Sequence, residues 1–379
     1  MMNTKVAILS CPSYDPELVY QALKEGVELA GGLDVAGKKV LLKPNIVFDA
    51  APEKAVCTHP VFLGAAIRLV RELGASHIMA GDSPGLQGRN FRAPLSGLGE
   101  AAAANGAQWV DFTQAKAEVS SPQGRAMKKF SLTQAAAEAD LIINLPKLKT
   151  HQLMYYTGAI KNLFGLVPSA AKSAFHVRFP TRNSLARALV DLNLALPRVY
   201  HLMDAIVAME GPGPGSGDPK QLGLVLASSN ALAMDIGAST ILGYPPLRLP
   251  TNREALERGF WLKGPEEIEY PALKPAECRV SGFTKIPLKR SSSQLLEFIL
   301  PHSLRNLKDR GEPGPQINRH RCVCCGDCAD ICASRAMDIT GDPPWLRIDY
   351  KQCIRCFCCH EICPIGAIDI VKGAKNQAP

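Results

Sequence analysis

The segment Cys322–Ile339, CVCCGDCADICASRAMDI, returns 31 residues later as Cys353–Ile370, CIRCFCCHEICPIGAIDI, and this repeat decides how the chain divides. The match keeps four cysteines in register, together with an Ile, an Ala, an Asp and an Ile. Ten of the 13 cysteines of the 379-residue chain fall between Cys322 and Cys363, whereas Cys11, Cys57 and Cys278 are single. A chain of this length buries a large core without covalent staples. Clustered C-x2-C spacing in a long chain points to metal ligation rather than to disulfides.

The spacing is C-x2-C-x2-C-x3-C in each half. Three closely spaced thiolates wrap one cubane, and in a two-cluster arrangement the fourth cysteine reaches the other cluster. That rule assigns Cys322, Cys325, Cys328 and Cys363 to one [4Fe–4S] cluster, and Cys353, Cys356, Cys359 and Cys332 to a second. Zinc is the competing reading of repeated C-x2-C, but duplicated four-cysteine runs fit it poorly. Cys324 and Cys358 are left over at non-equivalent positions and are expected as packed fillers. Ala333 stands where the second half has Pro364, so the first half's turn is the one local departure.

Residues 1–284 read differently. Short apolar runs (KVAILSC, KVLLKPN, HIMAGDS, WVDFT, LIINLPK, HLMDAIVAM, LGLVLAS) alternate with helical patterns. The helices DPELVYQALKEGVELAGG and HPVFLGAAIRLVRELGA have polar starts and late glycines, and NALAMDIGASTILG has Asn230 as N-cap. This alternation predicts a layered α/β domain with a mostly parallel sheet. A basic linker is expected over 285–314, carrying a short helix at LLEFIL, then a C-terminal α+β two-cluster domain over 315–372 and a tail, 373–379.

No stretch of 18 apolar residues spans a membrane. The N-terminus lacks a signal-peptide pattern, and thiolate metal sites need a reducing compartment, so a cytoplasmic location is expected. The net charge is +8, and Leu141–Val190 holds seven Lys or Arg and no Asp or Glu. A solvated face is one reading. Nucleic-acid binding is disfavoured because no stacking or reader motif accompanies the charge, and chain order favours an anion pocket. GPGPGSG at 211–217 has no GK[ST] and its prolines lack N–H groups, so it reads as a shaped turn. No GxGxxG opens a helix after a strand, so a dinucleotide signature is missing.

In open parallel sheets ligands bind beyond the carboxyl ends of the strands. Those ends carry Lys43, Asn45, Asp82, Ser83, Lys147, Lys149 and His151. TGAIKNLFGLVP adds a short helix capped by Thr157 with Lys161 and Asn162, and Lys172, His176 and Arg178 extend the basic set. A helix N-terminus beside lysines favours a carboxylate or phosphate. Lys43, Asn45, Asp82, Ser83, Lys147, Lys161 and Asn162 are thus candidates for substrate binding. Lys149 and His151 are the catalytic candidates, His151 as a proton donor.

LLKPN, THP at 58–60, GDSPG, NLPKLKTH, GAIKNLFGLVP, DAIVAMEGPGPGSG and CIRCFCCHEICP resemble the domain-of-unknown-function family numbered three-six-two, fused to a bacterial-type two-cluster ferredoxin. The resemblance runs over nearly the whole chain. Cys57 replaces the family's usual threonine. The expectation is an iron–sulfur oxidoreductase in which a soluble donor protein supplies single electrons, through two [4Fe–4S] clusters, to a small anionic substrate or cofactor. Two alternatives stand beside it: an electron-transfer or partner-docking protein without catalysis, and a ligand-binding or isomerising domain whose clusters sense or support.

Overall fold

The computed structural model describes residues 4–85, 93–113, 116–288 and 313–374. Most of the expected linker, including LLEFIL, and the end of the tail lie outside the described residues.

The first part is a mixed α/β unit around a largely parallel sheet. In chain order its main elements are β1 (Ala7–Ser10), α1 (Pro16–Leu29), β2 (Lys39–Lys43), α2 (Pro60–Glu72), β3 (His77–Ala80), α3 (Leu98–Ala104) and β4 (Gln108–Trp109). Next come β5 (Leu141–Asn144), β6 (Lys147–His151), β7 (Tyr155–Thr157), α4 (Ala159–Asn162), α5 (Ser169–Arg178) and α6 (Arg182–Ala195). The unit closes with β8 (Val199–Glu210), β9 (Asp218–Ser228), α7 (Ala231–Ile241) and α8 (Pro250–Arg258). The sheet order is β7–β6–β8–β5–β2–β3–β4, with β9 on the other edge of β8 and β1 beyond β9. Strands β2, β3, β4, β5, β6 and β8 pair in parallel, whereas β7, β9 and β1 join antiparallel.

Side chains alternate between two cores, as the period of two in a strand requires. Leu41, Ile142, Met203 and Leu226 pack with α6 and α7 on one face, and Val40, Leu42, Ile143 and Leu202 with α1 and α2 on the other. The expected helices form where their caps predict. Asp15 accepts from the N–H groups of Glu17 and Leu18, and Asn230 accepts from Ala233 at 3.0 Å.

Lys147, Lys149 and His151, expected beyond a strand's carboxyl end, lie on a strand of their own. Pro146 does not end the extended chain at NLPK. It interrupts a single line of chain, because β8 pairs with Asn144 through His201 and again with Lys147 through Asp204. β2 stops at Lys43 on the opposite edge, and β7 takes up pairing with β6 further along that edge. The sheet is therefore forked beyond Lys43.

The C-terminal residues form β10 (Pro313–Ile317), α9 (Asp327–Asp330), β11 (Met337–Thr340), β12 (Trp345–Ile348), α10 (Cys358–Ile362) and β13 (Ile368–Lys372). β10 pairs with β13 and β11 with β12, both antiparallel. Cys328, Ile331, Cys359 and Ile362 join the α1–α2 core, so this unit packs on the sheet domain. GPGPGSG is the socket, and its reading as a shaped turn agrees with the geometry. The ring nitrogens of the buried His360 stand 2.6 Å from the Ile368 carbonyl and 2.9 Å from that of Pro212. A Cβ on Gly215 would come within 2.9 Å of the Glu361 carbonyl. Among the described residues no helix is long and apolar enough to cross a membrane.

Candidate functional site

The fork in the sheet opens into a cavity of about 110 Å³. The sheet domain lines it with Lys43 and Asn45 after β2, Asp82 after β3, Lys149 on β6, Thr157 on β7, Lys161 and Asn162 on α4, Phe164, and Lys172 and His176 on α5. Pro214 of the GPGPGSG turn and Ile331, Cys358, Glu361 and Ile362 of the C-terminal unit complete the wall.

Burial sorts these residues into supports and free groups. Lys43 is fully buried and its ammonium is saturated, bonded to Asp82 at 2.9 Å, Asn162 at 3.1 Å and the Pro44 carbonyl at 2.6 Å. Asp82 also accepts from the N–H groups of Ile46 and Ser83 at 2.6 and 2.7 Å. Both therefore brace the fork. Lys149, also fully buried, donates to the Val56 carbonyl at 2.5 Å, and an ammonium has three donors, so donors remain for a ligand. Burial lowers its pKa to about 7. Lys172 bonds the Ser83 carbonyl and stands over the Phe164 ring, and burial lowers it to about 7 as well. Burial also lowers Lys161, against the opposing pull of Glu361 and Cys358.

Three buried polar atoms in the wall of this space have no hydrogen-bond partner: Asn45 Oδ1, Thr157 Oγ1 and His176 Nδ1. Orphaned groups are costly, and their concentration at one cavity marks a place built to receive something polar. Burial holds His176 down to about 4, so it is neutral near pH 7.

The structure corrects three expectations. Lys147 does not reach the cavity: it bonds Asp204 at 2.9 Å and the Tyr14 hydroxyl at 2.6 Å, while Tyr14 stacks on His59. Ser83 bonds Ser169 at 2.8 Å and offers its carbonyl to Lys172, so it supports rather than lines the site. The α4 N-terminus is not an anion site, because Asp235 already takes the N–H groups of Ala159 and Ile160 at 2.5 and 3.1 Å, and the cap is Gly158 rather than Thr157.

His151 sits behind the cavity wall. Its Nδ1 accepts from Leu153 and Met154 at 3.1 and 3.3 Å, so its proton is on Nε2, 3.2 Å from Glu361 Oε1. Burial, then Lys161, His176 and Lys149, hold its pKa well below the ordinary value. It is not the freely titrating histidine that the sequence suggested. Arg178 is exposed and packs near Phe179. Glu361 and Ile362 were missed, and Cys358 was expected only as a filler, since no local pattern connects α10 to residues 200 positions away.

Thiols of the two halves lie close enough together to perturb one another. Burial pushes the Cys328 thiol up to about 12, with Cys363, Cys325 and Cys322 adding to it. Cys359 is raised by burial and then by Cys356, Cys353, Cys328 and Cys332. The two loops also share a backbone. Cys324 and Arg355 have φ of 54° and 55°, Gly326 and Phe357 95° and 65°, Arg335 and Gly366 52° and 60°. Each pair is one repeat apart. Non-glycine residues seldom adopt this region, and left-handed residues in such loops turn successive N–H groups inward toward an anion. Ala336 N–H donates to Cys332 Sγ at 3.2 Å and Ala367 N–H to Cys363 Sγ at 3.1 Å, so the turn at Ala333 matches that at Pro364. Among the described residues no three His, Cys, Asp or Glu converge as ligands of one metal ion. Eight thiols with backbone N–H groups aimed at two of their sulfurs are a donor set of the chemistry that an iron–sulfur cluster would require. Cys57 is buried, bonds the Phe48 carbonyl and is pushed up by burial to about 12, so it is an inert core thiol.

Residues 40–240 match the family described as Domain of unknown function (DUF362). The chain is 31% identical over 309 residues to the thylakoid-associated protein sll1697 of Synechocystis sp., covering 80% of this chain and 94% of that protein. Among solved structures, the lactate racemase apoprotein of Thermoanaerobacterium thermosaccharolyticum superposes with a TM-score of 0.41 at 15% identity, over 62% of this chain and 57% of that one. A Thermotoga maritima protein gives 0.36 at 15% identity, over 67% and 61%. The chain thus spans less than two thirds of either solved structure.

Proposed function

The chain belongs to the DUF362 family, and we propose that it is an iron–sulfur oxidoreductase whose substrate is a small anion in the cavity beyond Lys43. The observation that carries this reading is the composition of the cavity wall. Lys149, Lys161 and Lys172 line the cavity together with Cys358 and Glu361 of α10.

Cys322, Cys325, Cys328 and Cys363 would hold one [4Fe–4S] cluster, and Cys353, Cys356, Cys359 and Cys332 the other. Such groups, when bound, supply one-electron transfer at a potential tuned by hydrogen bonds to sulfur and by burial. The chain's own residues do the rest. The Ala336 and Ala367 N–H groups stabilise charge on the sulfurs of Cys332 and Cys363. Cys358 hydrogen-bonds Cys356, which lowers that thiol. Lys149, Lys161 and Lys172 bind the anion and offset the negative charge it gains on reduction. Phe164, Ile331 and Ile362 exclude water, which strengthens each of these interactions. Exposed Cys325, near Val323 at 70% exposure, supports access for a soluble carrier protein.

The test is anaerobic reconstitution followed by reduction. About eight iron atoms per chain and reoxidation of the reduced protein by a subset of small carboxylates or phosphates are expected. Full iron content with no reoxidation by any small anion would rule out the oxidoreductase reading.

A further inference from the structure

The asparagines beside Lys43 define a second property of the cavity ligand, on top of the charge read above. Asn144 Nδ2 donates to the Ala159 carbonyl at 2.9 Å. A carbonyl can only accept, so Asn144 Oδ1 is the atom that faces Asn162. Asn162 Nδ2 donates to that oxygen at 2.8 Å, and Asn162 Oδ1 accepts from the Lys43 ammonium at 3.1 Å. Ammonium can only donate. Asn45 Nδ2 then donates to the same Asn162 oxygen at 2.8 Å. Each amide orientation forces the next, and both ends of the chain are anchored by groups with a single role. Asn45 is left with Oδ1, a pure acceptor, on a side chain in the cavity wall that is 8% exposed and without a partner for that oxygen.

An anion made only of acceptors would satisfy the lysines and leave Asn45 Oδ1 unpaired. A buried acceptor without a donor loses its hydration and gains nothing in return, which disfavours such a ligand. The ligand that removes this cost carries a donor beside its negative charge. An ammonium donor is disfavoured among Lys43, Lys149, Lys161 and Lys172, because like charges repel at this range. A hydroxyl has no such penalty, and Thr157 Oγ1, also unpartnered and 2% exposed, offers it a second neighbour.

We infer that the cavity selects a small hydroxycarboxylate, its carboxylate held by Lys149, Lys161 and Lys172 and its hydroxyl donated to Asn45 Oδ1. This deepens the proposed function and rests on its placement of the substrate. Binding is tested separately from redox chemistry.

The experiment titrates the anaerobically purified full-length protein with glycolate, acetate and glycine by calorimetry. Glycolate and acetate carry the same charge and differ by one hydroxyl. Glycolate is expected to bind about 10-fold or more tightly than acetate, and glycine more weakly than glycolate. In Asn45→Leu the glycolate preference should fall to about 2-fold or less. Should that variant fail to fold, Thr157→Val is expected to lower the ratio of glycolate to acetate affinity in the same direction, and an unchanged ratio there overturns the inference. Equal affinities for glycolate and acetate in the natural protein, or no glycolate binding at millimolar concentration, overturns the inference. A preserved glycolate preference in a protein that shows no reoxidation instead isolates the fault in the oxidoreductase reading.

Discussion

Lys147 and Lys149 stand two residues apart on β6, both buried to 1% exposure or less, yet they do opposite work. Lys147 closes a buried ion pair with Asp204, and Lys149 presents its ammonium to the cavity. Replacing Lys147 with Met strands the Asp204 carboxylate and is expected to destabilise the fold by about 3–5 kcal/mol, measured by urea unfolding, with acetate affinity of the folded protein changed less than about 2-fold. Lys149→Met is expected to reverse that pattern, losing about 10-fold or more in acetate affinity with little loss of stability. No sequence pattern separates the two. The partners of Lys147 lie 57 and 133 positions away, so the distinction is one of tertiary packing.

The same residues set a pH dependence. Lys149 and Lys172 are lowered to about 7 by burial. Anion binding needs their charged forms, so acetate affinity should fall as pH rises through about 7, and the slope should flatten in Lys149→Met. Stability without ligand runs the other way. The folded pKa lies below the unfolded one, so the unfolded chain binds more protons between them. The contribution of these groups to stability is full above about 10.5 and is lost as pH falls through about 7. Midpoints of urea unfolding from pH 6 to 9 check this sign.

At the scale of elements, the helices and most strands were legible because caps and periodicity are local signals. α1, α2 and α7 begin where Asp15, His59 and Asn230 accept backbone hydrogen bonds. β6 and β7 were not anticipated as strands. Pro146 signals a stop, and only the β8 ladder, resuming at Asp204, carries the strand on. The GPGPGSG turn was read correctly in kind, but its role in seating α10 is a contact between distant parts of the chain. Gly215→Ala would drive a methyl against the Phe48 ring and the Glu361 carbonyl. Faster hydrogen exchange over residues 358–363 is expected, with exchange in α1 and α2 unchanged. Equal protection in both proteins would mean that α10 is held by other contacts.

At the scale of the whole molecule, the repeat was legible from spacing alone, and its two halves share a backbone as well as a sequence pattern. Cys324 answers to the same logic. It occupies the left-handed position matched by Arg355, not a ligand position, so Cys324→Ser should retain full iron content while Cys325→Ser should lose about half. What the spacing could not reveal is that α10 turns one side toward the lysines of a domain 200 residues earlier. That junction is the central claim, and electron paramagnetic resonance of the reduced, reconstituted protein tests it most directly. Saturating acetate should perturb the signal of one cluster and leave the other unchanged, and the effect should vanish in Lys149→Met. Spectra that are identical with and without acetate, in a protein shown by calorimetry to bind it, would contradict the placement of the anion beside a cluster.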